Sequence, residues 1–165
     1  MNYDLFEIKL KSSENNYLSW YTIERALTKE GRFIRQSSGT NSFAIITLKI
    51  EPITNKQIAI FANKIAKINL GYNILYPLQQ KDSETSDILQ TINSGVILGI
   101  EAACLNLEPP DCKDSGLPKH YGISGIKVTA LKALFHPIDS HSRAFKMATK
   151  SVLLAAFQEV KLIKI

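Results

Sequence analysis

The sequence is poor in the residues that most often carry chemistry: two cysteines, three histidines and one tryptophan among 165 residues. Cys104 and Cys112 lie eight apart with Pro109 and Pro110 between them, a spacing that a disulfide would tolerate. Without a secretory signal, two cysteines are expected as reduced thiols. Cys104, inside an apolar helical stretch, is expected to be buried. The N-terminus carries Asp4 and Glu7 and has no apolar run, so no signal peptide is read there. No stretch approaches the roughly 20 apolar residues of a membrane span. The expected setting is the cytoplasm, with no membrane partner.

Several motifs are missing as well. There is no Gly-x-x-x-x-Gly-Lys-Ser/Thr phosphate loop, so no nucleotide is expected on this chain. Gly122-Ile123-Ser124-Gly125 is too short for a dinucleotide-binding turn and precedes a strand, not a helix. His136, Asp139 and His141 are close enough in sequence to be weighed as metal ligands, but no second ligand cluster supports them. No metal or other cofactor is expected. Ser37, Ser38 and His136 lack both a Gly-x-Ser-x-Gly turn and an orienting carboxylate, so no nucleophile–base pair is read. These absences argue against an enzyme.

What is present is a core. Hydrophobic residues make up 45%, ample at this length, and the 21% charged share is not that of a disordered chain. Twenty Lys and Arg against fifteen Asp and Glu leave a formal charge of +5. That excess leans toward polyanionic partners without requiring one.

Phe6, Ile8 and Leu10 alternate with Glu7 and Lys9, which predicts a half-buried strand. Residues 12–16 are a polar break. Residues 17–29 are mixed in pattern and read as strand, continued over 31–34. Residues 35–42 carry every local turn signal, and 43–51 read as a second strand rich in Ile and Thr. The pair makes a hairpin with a polar tip, and Arg32 and Arg35 lie on the strand that enters it. Residues 57–68 fit both periods: Ile58, Ile60 and Ala62 alternate, while Ile58, Phe61, Ile65 and Ile68 fit a helical face. Residues 71–85 read as a loop.

Residues 86–107 are the clearest helix, with Ser86 or Asp87 as its cap and Ile88, Ile92, Val96 and Ile100 in its stripe. Gly95 and Gly99 share one side of it and would admit a close neighbour, strand or helix. After a long connection, 124–131 read as a strand. A turn through His136-Pro137-Ile138 leads to a second helix, from Asp139 or Ser140 to about 160. Phe145, Ala148 and Val152 belong to its inner stripe; Lys146 and Lys150 lie outside it. This order predicts an α+β fold, with two helices on one face of a small, mostly antiparallel sheet.

Three stretches resemble the fourth domain of elongation factor G and related translational GTPases. Gly31-Arg32-Phe33-Ile34-Arg35-Gln36-Ser37-Ser38-Gly39 resembles the family's strand running into a Gly-rich loop, and Ile50-Glu51-Pro52 its Val-Glu-Pro. Phe61-Ala62-Asn63-Lys64-Ile65 looks like its Phe-Val-Asn-Lys-Ile strand, which favours strand for the ambiguous segment. Tyr121-Gly122-Ile123-Ser124-Gly125-Ile126-Lys127-Val128-Thr129 is similar to Tyr-Pro-Val-Val-Asp-Val-Lys-Val-Thr. It continues without a gap to His136, Asp139-Ser140 and Ala144-Phe145-Lys146. The matches cover about 22–157 in the family's order. The Gly-Gly-Arg-Gly of the family's first loop is Ser38-Gly39-Thr40-Asn41 here.

The resemblance implies the ribosomal protein S5 domain 2-like fold, a four-stranded sheet with two helices. It assigns 21–165 to that domain and leaves 1–20 as an N-terminal extension, expected as a strand packed on it. The expectation is a stand-alone copy without a GTPase. In the family, two loops form a tip that enters the ribosomal decoding site. By position, the tip here is residues 36–41 together with 132–139. The RNA-contact candidates are Arg32, Arg35, Gln36, Ser38, Gly39, Asn41, Lys132 and His136. The expected function is a non-catalytic, translation-factor-like module whose partner is the ribosome or ribosomal RNA. The competing reading is a diverged remnant or protein-interaction domain that keeps the fold without RNA binding. Oligomeric state is not legible.

Overall fold

Alternation of apolar and polar residues puts one face of a strand against the core, and that rule organises most of this chain. A computed structural model describes residues 4–12, 18–36, 41–65, 67–69, 75–77, 83–105, 107 and 120–165. Its strands before the first helix are β1 (Asp4–Lys9), β2 (Ser19–Ile23), β3 (Leu27–Arg35), β4 (Ser42–Pro52), β5 (Ile58–Asn63), β6 (Lys67–Asn69) and β7 (Leu75–Pro77). Then come α1 (Ser83–Cys104), β8 (Tyr121–Ile123), β9 (Ile126–Leu134), α2 (Ser142–Glu159) and β10 (Leu162–Lys164).

The main sheet runs β1-β5-β9-β4-β3. Its pairs are antiparallel except β5 on β9 and β6 on β9, which are parallel. β6 joins the far half of β9, and β7 pairs with β6. The sheet is therefore wider than the four strands expected. β1 adds an edge on β5, and β9 is long enough to take β5 along its first half and β6 along its second. A separate small sheet, β10-β2-β8, gathers strands from early, middle and late in the sequence. Residues 17–29, read as one strand, divide between β2 and β3. The ambiguous 57–68 segment contains β5 and the start of β6, as the resemblance favoured.

A bulge interrupts the β4–β9 ladder: Thr47 pairs with Lys132 and Leu48 with Ala130, so Leu131 has no partner in it. Before it, Val128 and Ala130 face the core; after it, Ala133 and Phe135 do. The extra residue shifts the phase of alternation by one, as bulges do.

Both helices lie on one face. Asn63 of β5 donates to Asn93 of α1 at 2.8 Å, and Phe135 stacks on Phe145 of α2 at 6.1 Å. A Cβ on Gly31 of β3 would stand 2.5 Å from the Ala148 carbonyl oxygen, so α2 lies directly over that strand. The close neighbour expected at Gly95 and Gly99 is a helix. Cβ atoms there would fall 2.3 Å from the Ser142 carbonyl oxygen and 2.6 Å from the Thr149 Cβ. Cys104 is a buried free thiol, and desolvation pushes its pKa far up. Cys112 lies outside the described residues.

Both helix starts differ from expectation. α1 begins at Ser83, which places Ser86 and Asp87 inside it and takes 83–85 out of the expected loop. α2 is capped by His141, not by Asp139 or Ser140: the His141 side chain accepts from the Ala144 N–H. Trp20 is buried in the core, its ring against Gly122.

Candidate functional site

The loop end of the β3–β4 hairpin meets the turn between β9 and α2. The last ladder pair of the hairpin is Arg35 with Ser42. Next to it, the Phe43 N–H donates to the Asp139 carbonyl at 3.0 Å, and Ser140 Oγ donates to the Phe43 carbonyl at 2.6 Å. Ser42 Oγ lies 3.1 Å from His141 Nε2, and the Phe43 and His136 rings are 6.1 Å apart. The β9–α2 turn is thus tied to the first residues of β4, next to the hairpin's connecting loop.

The turn is internally braced. Ser140 Oγ accepts from the His136 N–H at 2.8 Å, and the Ser140 N–H donates to the His136 carbonyl at 3.0 Å. His136 Nδ1 accepts from the N–H groups of Ile138 and Asp139 at 3.3 and 3.1 Å. A nitrogen that accepts carries the lone pair, so the imidazole is the Nε2–H tautomer. His141 follows the same logic. Its Nδ1 accepts from Ala144, so Nε2 donates to Ser42 Oγ. The hydrogen bonds of Ser140 and His141 go to the tip's own backbone and to the Ser42 hydroxyl, an arrangement suited to fixing a shape. Among the described residues there is no group of three or more His, Cys, Asp or Glu able to hold a metal ion.

The structure separates the candidates. Arg35 faces the helix side with Phe33, its guanidinium 5.2 Å from that ring. Arg32, three residues earlier, faces the opposite side and bonds Glu30 at 3.0 Å. Lys132 stands within the β9 ladder opposite Thr47, five residues along β4 from Ser42, and so is outside the loop to which it was assigned. At about 3.4 Å per residue that is roughly 17 Å from the tip end of β4. Gln36 and Asn41 are exposed at the hairpin's end. Ser38 and Gly39 lie outside the described residues.

No family model matches the chain. An elongation factor G of Carsonella ruddii (strain PV) is 30% identical over 154 residues, 93% of this chain and 19% of that protein. The chain is similar to a segment of elongation factor G. The likeness takes in about a fifth of the relative's length. A solved crystal structure of a Thermus thermophilus protein aligns with a TM-score of 0.47 and 20% identity, over 85% of this chain and 16% of that one.

On this elongation factor G-like chain, sequence reading passed over the most exposed large hydrophobic among the described residues. Ile138 is 83% exposed, at the apex of the turn His136 braces. Pro-Ile between His and Asp was a usable signal, since Pro fixes the first corner of a turn and leaves the next residue outermost. Ser140, read as a cap candidate, and His141, weighed as a metal ligand, are the residues that join the turn to β4.

Proposed function

We propose that this chain is a counterpart of domain IV of elongation factor G and works as a non-catalytic module that contacts ribosomal RNA through the tip. In this reading residues 21–165 form the domain and 1–20 an added segment. The observation that carries the proposal is the bracing of the β9–α2 turn against the loop end of β4 by the Phe43–Asp139, Ser140–Phe43 and Ser42–His141 bonds. A shape held before binding loses little entropy when it docks. The contacting set is Arg35, Gln36, Ser38, Gly39, Asn41 and His136, with Ile138 at the apex. Arg32 and Lys132 lie on the sheet face away from the helices and reach only RNA that wraps beyond the tip.

The test is co-sedimentation with purified bacterial ribosomes at low and at high salt. Binding should weaken with salt, because phosphate contacts release counterions. Arg35→Ala with His136→Ala should weaken it by roughly tenfold or more. A His136→Asn control keeps a turn acceptor and separates contact from turn collapse. Absence of ribosome binding at low salt would end this reading.

A further inference from the structure

The first half of α2 carries charge of one sign only. Arg143, Lys146 and Lys150 follow one another at three and four residues, which stacks them along a single ridge about 10 Å long. The buried residues Ala144, Phe145, Ala148, Thr149 and Val152 turn away from that ridge, which ends where buried Leu153 and Phe157 take over its row. Arg143 is exposed and the two lysines are partly exposed. Among the described residues none of the three has an ion-pair or side-chain hydrogen-bond partner. Lys29, Arg32 and Lys49 on β3 and β4 differ, each holding a carboxylate.

The sole acid of α2, Glu159, is at its far end and engaged by Lys29 at 2.5 Å. Cations in the first turns of a helix also oppose the backbone dipole, which favours acids there. A local rule broken without compensation inside the fold points to a use outside it. The ridge starts beside the tip, since Ser42, the ladder partner of Arg35, touches the His141 cap.

We infer that the Arg143–Lys146–Lys150 ridge is a second RNA-binding surface, which takes the phosphate backbone without reading sequence. It extends the tip contact along the outside of α2, and so rests on the reading of the tip as an RNA site. Unpaired cations in line on a protein of charge +5 fit a polyanion whose charges also run in line.

The experiment measures binding of the full chain to a labelled RNA hairpin of arbitrary sequence and to purified ribosomes across a salt series. Arg143→Gln with Lys146→Gln and Lys150→Gln should weaken hairpin binding at least tenfold and lower the salt slope by about 2. The charge-keeping set Arg143→Lys, Lys146→Arg and Lys150→Arg should retain both, and thermal melts of both sets should match the parent. Unchanged affinity and slope in the Gln set overturn the ridge. If Arg35→Ala with His136→Ala still abolishes ribosome binding in that case, the tip reading survives alone. Loss in the Gln set with the tip variant unaffected supports the ridge and removes the tip. Polyglutamate that competes as well as RNA would overturn the RNA assignment in favour of an acidic protein partner.

Discussion

Thr149 sits where α2 packs against Gly99 of α1, and its hydroxyl is buried with no hydrogen-bond partner. An unpaired buried hydroxyl costs about 1–3 kcal/mol, and valine has nearly the same shape without it. Thr149→Val is therefore expected to stabilise the protein by about 1 kcal/mol, read as a higher urea midpoint at an unchanged slope. Thr149→Ala also removes the hydroxyl but opens a void, and should gain nothing. A Val variant melting below the parent would show that the contact between the helices depends on the hydroxyl. The glycines opposite explain why the site is so tight. At Gly95 and Gly99 the helix backbones touch where any side chain would hold them apart. Alanine there would gain about 1 kcal/mol of helix propensity against a clash with backbone atoms that costs more.

The bulge at Leu131 shows how an element is built and why part of it was illegible. Leu131 and Lys132 are both exposed, so the alternation that identifies the strand stops there, although β9 continues to Leu134. That is why the strand was read as ending at Leu131, while Lys132 was placed in the loop by the resemblance. Deleting Leu131 removes the unpaired residue and leaves Ala133 and Phe135 facing the core. Deleting Thr129 instead reverses every side chain on one side of the cut. The Leu131 deletion should fold and melt close to the parent, and the Thr129 deletion should lose cooperative melting, both followed by circular dichroism. Equal damage from the two would mean the bulge is required and not merely accommodated. Other elements follow the same division. The β3–β4 hairpin was legible because its strands alternate and its turn is polar. β5 was not legible by period, since Ile58, Ala59, Phe61 and Ala62 are all buried and both faces are apolar. The start of α2 was misread because Ser140 is a favoured cap type, yet its hydroxyl goes to Phe43 across the tip. Tertiary contacts there override local preference. The opposed faces of Arg32 and Arg35 were legible all along, being three apart on a strand.

At the scale of the molecule, the small sheet joins chain segments that are distant in sequence, and it bears on the tip through α2. The helix is held at its start by the His141–Ser42 contact. Near its end the Lys29–Glu159 pair ties it to β3, and Lys29 holds the Glu159 carboxyl below the usual range. Beyond that pair, β10 lies antiparallel on β2, and the Ile165 N–H donates to the Trp20 carbonyl at 3.0 Å. Trp20, Ile23, Tyr121 and Ile123 belong to the same buried cluster as the core residues of both helices, with no apolar gap between the two sheets. One continuous core implies one cooperative transition. Trp20 is the sole tryptophan and lies in the small sheet, so its fluorescence reports that sheet alone. Urea unfolding followed by Trp20 fluorescence should superimpose on unfolding followed by far-ultraviolet circular dichroism, which both helices dominate. If the tryptophan signal is lost first, the small sheet opens as a separate unit. α2 would then be anchored chiefly through its start, and the tip it carries would owe its rigidity to the bonds between the turn and β4 alone.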